Sequence, residues 1–185
     1  MKPSGFLLIL EPALSTISNR LHEAAALISS TDRLNLHAPY FNGLPCPFAG
    51  KNSRYRSHEV RKGTVTRTTQ LINAPLHLNL RDLKFSFIAL SPKKPVELER
   101  TPCIFRIVSP ISKRKGLYFF IGIDTNGKEY TYEIQVRDLN PRESKLIESF
   151  QRGDILRLQD YITLYEGHRL RIPKAASIEV LFAPR

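Results

Sequence analysis

From Cys103 onward apolar and polar positions alternate with a period near two, and the chain reads as strands separated by turns. Cys103-Ile-Phe-Arg-Ile-Val108 predicts a first strand, with Arg106 among apolar neighbours, and Pro110 to Gly116 turns the chain. Asn126-Gly127 predicts a hairpin, because a two-residue type I′ turn needs positive φ at both central positions. That turn sets Thr125 opposite Lys128, and the register then puts Ile123 opposite Tyr130, Ile121 opposite Tyr132, Phe119 opposite Ile134 and Leu117 opposite Val136, these eight on one core-facing side. The other side then pairs Tyr118 with Gln135, Phe120 with Glu133 and Gly122 with Thr131. Asn140, Pro141 and Glu143 predict a capped helix start, Leu146, Ile147 and Phe150 its buried face, and Gly153 its end. Asp154 to Leu164 predicts a strand with Leu156, Leu158, Ile162 and Leu164 on one side, and Ser177 to Phe182 predicts the last.

The first part of the chain is patterned differently. Pro12 suits a first helical turn, and Ile17, Leu21, Ala24, Ala25 and Ile28 follow at helical spacing, which predicts an amphipathic helix over 13–29. No period is sustained afterwards, so residues 30–75 read as a basic, disordered linker ahead of a folded domain over 76–185. Three strands, a short helix and two more strands are the plan of an all-β, five-stranded OB-fold barrel with its helix between the third and fourth strands. An SH3-like barrel lacks that helix.

Composition narrows the function. The chain has 185 residues, 42 % hydrophobic and 24 % charged, enough for a folded core. Its 28 Lys and Arg against 17 Asp and Glu give a formal charge of +11, which favours a polyanionic partner. Residues 1–75 carry nine basic and four acidic side chains, and Lys51, Arg54, Arg56, Arg61, Lys62 and Arg67 are opposed locally by Glu59 alone. Cys46 and Cys103 are too few for a disulfide-stapled fold. The apolar run Phe6–Leu10 is too short for a signal peptide, and no run approaches the roughly 20 residues that span a bilayer. His22, His37, His58, His77 and His168 are scattered, and neither Cys-x-x-Cys nor a phosphate-cradling glycine loop is present. The expectation is therefore a protein without catalysis, metal, cofactor, small-molecule substrate or membrane partner.

An OB barrel binds across its second and third strands, between its 1–2 and 4–5 loops. On that face Tyr118 and Phe120 are candidates to stack on bases, with Thr131 and Gln135 beside them. The bland alternative is that a loop or the first helix covers Phe120. Lys113-Arg114-Lys115 occupies the 1–2 loop, where phosphates seek cations. The 4–5 connection offers Tyr165, His168, Arg169, Arg171 and Lys174, a mixture of bases and rings suited to a single strand. Arg106 and Arg157 fall on non-core positions, to reach phosphates or to pair with Glu133 or Asp154.

Gly153-Asp-Ile-Leu-Arg157, with Tyr161 and then Tyr165-Glu-Gly167, resembles the fourth-strand signature of the protection-of-telomeres and ciliate telomere-end-binding OB folds. Leu80-Arg-Asp-Leu-Lys84 resembles the element that enters their barrel, Gly116 to Asp124 their second strand, and Ser177 to Phe182 their closing strand. The resemblance covers residues 78–183. It implies a nuclear protein that caps chromosome ends by binding the single-stranded, G-rich telomeric DNA overhang, adds Tyr161 to the candidates, and implies other telomere proteins as partners. The rival reading is a protein-binding OB adaptor of a telomere or replication complex, with the Tyr118–Phe120 face buried on a partner and helix 13–29 as a docking element. An RNA-binding OB domain is the third.

Overall fold

In the computed structural model, which describes residues 5–31, 33–51, 58–63, 65–76, 82–164 and 167–183, the chain ahead of residue 92 assembles around one long strand. Its elements are β1 (Leu7–Pro12), α1 (Ser15–Ser29), β2 (Asn35–Ala38), β3 (Glu59–Lys62), α2 (Arg67–Asn73) and β4 (Asp82–Ser91). Phe85, Phe87 and Ile88 favour the extended chain in β4. β1 pairs antiparallel along one edge of it, from Leu7 opposite Leu90 to Pro12 opposite Phe85. β2 and β3 share the other edge. α1 covers one face of this sheet, where Leu21 and Ala25 pack with Leu36, Ile88 and Leu90, and Ser18 Oγ lies 2.7 Å from Ser86 Oγ.

Two expectations change here. Pro12 ends β1 rather than opening the helix, and the buried side of α1 runs through Ser18, Leu21, His22 and Ala25, leaving Ala24 exposed. That side is already packed on the sheet, so α1 is no free docking element. The described part of 30–75 is not a disordered linker either: β2, β3 and α2 lie within it, and Tyr40, Cys46 and Phe48 pack on Val108, Ile121 and Ile123. The missing local period is replaced by partners far along the chain, which no window of sequence reveals. Residues 52–57 lie outside the described part. Of the element Leu80–Lys84, the first two residues also lie outside it, and the rest open β4 in this first sheet.

The second sheet contains β5 (Ile104–Ile107), β6 (Ser112–Arg114), β7 (Leu117–Asp124) and β8 (Glu129–Gln135), then after α3 (Pro141–Ser149) β9 (Ile155–Leu158), β10 (Ile162–Leu164), β11 (Arg169–Arg171) and β12 (Ile178–Phe182). Its order is β10-β11-β8-β7-β5-β9-β12, with β6 also on β7. Every pairing is antiparallel except that of β11 with β8. The protein is thus mostly β, and this ladder of eight strands is open, with β10 and β12 at its edges. The strand expected over 154–164 breaks between Leu158 and Ile162, the connection after it holds a strand at Arg169–Arg171, and β12 pairs with β9. The α3 start forms as the sequence predicts: Asn140 Oδ1 accepts from the Arg142 and Glu143 amides at 2.9 Å, and Glu143 Oε2 accepts from the Asn140 amide at 2.8 Å. Of the expected buried face, Ile147 and Phe150 are buried and Leu146 is exposed. The helix ends at Ser149, ahead of Gly153.

The largest correction is one residue of register. The turn between β7 and β8 has three residues, Thr125–Gly127, closed by Asp124 N–H to Lys128 O and Gly127 N–H to Asp124 O, both 3.0 Å. Asp124 Oδ1 accepts from the amides of Asn126 (2.9 Å) and Lys128 (2.8 Å), and Gly127 takes φ 76°. These bonds bury the aspartate at 1 % exposure and make the longer turn the better one. Leu117 therefore faces Gln135, Phe119 faces Glu133 and Phe120 faces Tyr132, and the expected pairs Ile123–Tyr130, Ile121–Tyr132, Phe119–Ile134 and Leu117–Val136 do not form. A shift of one residue exchanges the faces of a strand. Tyr118 and Phe120 enter the core with Tyr130, Tyr132 and Ile134. There the rings of Phe105 and Tyr132 stack 3.8 Å apart over Gly122, where an added Cβ would lie 2.6 Å from Phe105 and 2.8 Å from Tyr132.

A buried ion cluster joins the sheets. Glu59 on β3 sits between Arg61 and Arg106 of β5, and Arg61 Nη1 donates to Arg152 O at 2.6 Å. Gly153, at φ 91°, lets this cluster approach, since a Cβ there would lie 2.6 Å from both Glu59 and Arg61.

Overpacking predicts that Gly122→Ala lowers stability by about 1–3 kcal/mol in urea titrations. A loss under about half a kcal/mol would mean that the aromatic stack yields readily. A second expectation concerns alkaline pH. Burial, and next the charge of Asp124, hold the Tyr132 phenol well above its ordinary 10.0, so folding favours its protonated form. That stability is complete below about pH 10 and is lost as pH rises further toward the folded-state value. Urea midpoints followed from about pH 9 to 11 should fall, and less steeply in Tyr132→Phe.

Candidate nucleic-acid interface

Pairing across β10, β11, β8, β7 and β6 defines the outward face opposite the core. One row runs Ile162, Arg171, Glu133, Phe119, Ser112. On one side of it lies the row Leu164, Arg169, Thr131, Ile121, and on the other Gln135, Leu117, Arg114. The Tyr40–Phe48 stretch covers the Ile121–Ile123 end of β7, while Leu117 and Phe119 remain half-buried. Beside them opens a cleft of about 670 Å³ lined by Phe119, Ile121, Ser112, Lys113, Arg114 and Arg152 among others. Its lining holds three cations, one aromatic ring and no carboxylate.

The sequence-based candidates divide sharply. Tyr118 and Phe120 are 1 % and 0 % exposed and offer no ring to a ligand. Arg106, 3 % exposed, belongs to the ion cluster between the sheets. Arg157 is exposed but on β9, where it bonds Glu179 at 3.1 Å, away from this face. Tyr161 is half-buried against the core, and burial raises its phenol above the ordinary value. Tyr165 lies outside the described residues.

Arg169, Arg171, Thr131 and Gln135 do share the face. Arg171 donates to Glu133 Oε1 from Nε at 2.9 Å and from Nη2 at 2.6 Å, and Arg169 Nε lies 3.7 Å from Oε2. Glu133 is thereby a buried carboxylate between two guanidinium groups, which holds both side chains over β8. His168 and Lys174 are exposed on either side of β11. Lys113 points back from the cleft: its Nζ donates to Tyr118 Oη at 3.0 Å and lies 3.8 Å from Glu148, and first the hydroxyl, then these charges, raise its pKa. Tyr118 in turn donates to Glu148. Arg114 and Lys115 stand exposed at the tip of the hairpin, where Lys115 takes φ 44°.

Sequence reasoning missed Phe119 and Arg152. A two-residue turn puts Phe119 in the core, and the signal for the longer turn is Asp124, whose carboxylate reaches two amides beyond it. Arg152 carried no local signal; its place depends on His58, whose Nε2 lies 2.6 Å from Nη1. Among the described residues no group of three His, Cys, Asp or Glu side chains is placed to hold a metal ion. No protein-family model matches the sequence, and no curated protein matches it.

The faces predict opposite behaviour for adjacent rings. Tyr118→Ala should cost about 3–5 kcal/mol of stability as a core truncation. Phe119→Ala should cost less, under about 2 kcal/mol, since its side chain is only partly buried. Denaturant midpoints for the two variants check this, and equal losses would contradict the register.

Proposed function

We propose that this chain binds single-stranded nucleic acid across the outward face of β7, β8 and β11, in an OB-type fold. The single observation that carries the reading is the cleft beside Phe119, with its cations and no carboxylate. Phosphates gain from compact positive charge and released counterions, and a ring beside them accepts any base. Support for the OB-type architecture comes from β5, β7 and β8 in sequence, α3 ahead of β9, and the parallel return of β11 onto β8. In that scheme the 1–2 loop carries Arg114 and Lys115, and the 4–5 loop leads into Arg169 and Arg171. Among the described residues no helix is long and apolar enough to cross a membrane.

The telomeric overhang, and with it a nuclear, chromosome-end setting, is the ligand class that the resemblance implies. The residues that carry the resemblance have roles in the fold: Asp124 builds the β7–β8 turn, and Asp154 Oδ2 accepts from the Gln151 amide at 2.8 Å. They support the architecture, while the proposal of a single strand rests on the cleft.

Fluorescence anisotropy with G-rich, C-rich and mixed oligonucleotides, as DNA and as RNA, tests this. Log affinity should fall with log salt at roughly −0.7 per neutralised phosphate. Phe119→Ala should lose about 1–3 kcal/mol of binding, and Arg114→Glu should shallow the salt slope by about one phosphate. Absence of binding to any strand at low salt overturns the proposal and favours a protein-binding module.

A further inference from the structure

A second cavity, of about 470 Å³, lies between the two sheets. Tyr40, Phe87, Ile155 and Phe182 form apolar walls, and Val96 and Leu98 form an exposed lip. Its lining also holds His37, Asn42, Arg106 and the Glu59 carboxylate that Arg106 and Arg61 engage. Asn42 is occupied, donating to Leu98 O at 3.2 Å and Thr125 O at 3.0 Å and accepting from the Leu98 amide at 2.7 Å. His37 Nε2 lies 2.8 Å from Lys93 O.

Arg106 is different. It is 3 % exposed, its Nη2 donates to Glu59, and among the described residues its Nε and Nη1 donate no hydrogen bond. Its guanidinium carbon lies 5.7 Å from the Tyr40 ring centroid and 5.9 Å from that of Phe87, so rings attend the cation while spare donors remain. Among the described residues the enclosed side-chain nitrogen without a hydrogen bond is Arg61 Nη2, while Arg106 itself lines the cavity. Arg61, Glu59 and Arg106 together carry one net positive charge.

We propose that this cavity binds a small organic anion with a flat apolar body, the class of aromatic carboxylates and sulfonates. The anionic oxygen accepts from the spare N–H groups of Arg106, and the body fills the space between Tyr40, Phe87, Ile155 and Phe182. The volume falls in the roughly 300–1,000 Å³ range of small-molecule pockets, which are mostly apolar with a few polar groups to orient the ligand. The site is separate from the cleft beside Phe119 and does not depend on the nucleic-acid reading.

The test titrates the full chain with anilinonaphthalene sulfonate, followed by fluorescence, beside phenylnaphthylamine, its neutral counterpart. One saturable site is expected, displaced by naphthoate and not by a single-stranded oligonucleotide, with the anion bound about tenfold or more tighter than the neutral probe. Val96→Asp, at an exposed position on the lip, should weaken the anion by about tenfold. The variant Arg106→Gln, which leaves Glu59 paired with Arg61 and the cluster without net charge, should abolish the preference for the anion. If that variant does not fold, Val96→Asp and the neutral probe decide. Equal binding of the two probes, indifference to Val96→Asp, displacement by the oligonucleotide, or no binding overturns the proposal.

Discussion

The second sheet depends on the carboxylate of Asp124. By accepting from the amides of Asn126 and Lys128 it holds a turn one residue longer than Asn-Gly alone requires, and parity propagates from there. The stack of Phe105, Phe120 and Tyr132, the close approach over Gly122 and the outward place of Phe119 all follow from it. A two-residue turn would have buried Phe119 and turned Tyr118 and Phe120 outward. The identity of the exposed ring, and hence the candidate interface, is settled far from that interface.

Local signals were legible and distant ones were not. α3 could be read because Asn140, Pro141 and Glu143 lie within one turn of each other and complete their own hydrogen bonds. The apolar character of β5, β7 and β8 is equally plain; the length of one turn, which local sequence leaves open, reverses the faces of β7 while Tyr130, Tyr132 and Ile134 of β8 keep theirs. The first sheet was nearly invisible, since β2 and β3 are four residues each and gain their order from β4. Arg106 stood out among apolar neighbours, yet its partner Glu59 lies 47 residues earlier, as the one acid in a basic stretch. Of the candidate residues, Arg114, Lys115 and Arg169 are exposed and Arg171 is partly buried on Glu133, as loops and short edge strands keep charge near water.

The formal +11 overstates what an approaching polyanion meets. Glu59 engages Arg61 and Arg106 in the interior, Glu133 engages Arg169 and Arg171 on the face, and Glu148 faces Lys113. Each buried carboxylate restrains two long cationic side chains. Charge that is nearly cancelled this way orients rather than attracts, and it lowers the ordering entropy lost on binding. Attraction is left to exposed side chains such as Arg114 and Lys115, a smaller and more local field than composition suggests.

The central place of β4 has a practical side. A fragment begun at residue 76, where periodic sequence first suggests a folded unit, would keep β4 and lose β1, β2, β3 and α1, all of which precede it. Ten residues including Phe85, Phe87, Ile88 and Leu90 would then present unpaired amides and carbonyls along both edges, with no helix over the apolar face. Such a strand recruits its like from other molecules. Trimming beyond Ser91 removes that strand but strips Tyr40, Cys46 and Phe48 from Ile121 and Ile123. The chain ahead of Ser91 thus covers apolar surface of the second sheet as well as pairing β4, and the two are best produced as one polypeptide.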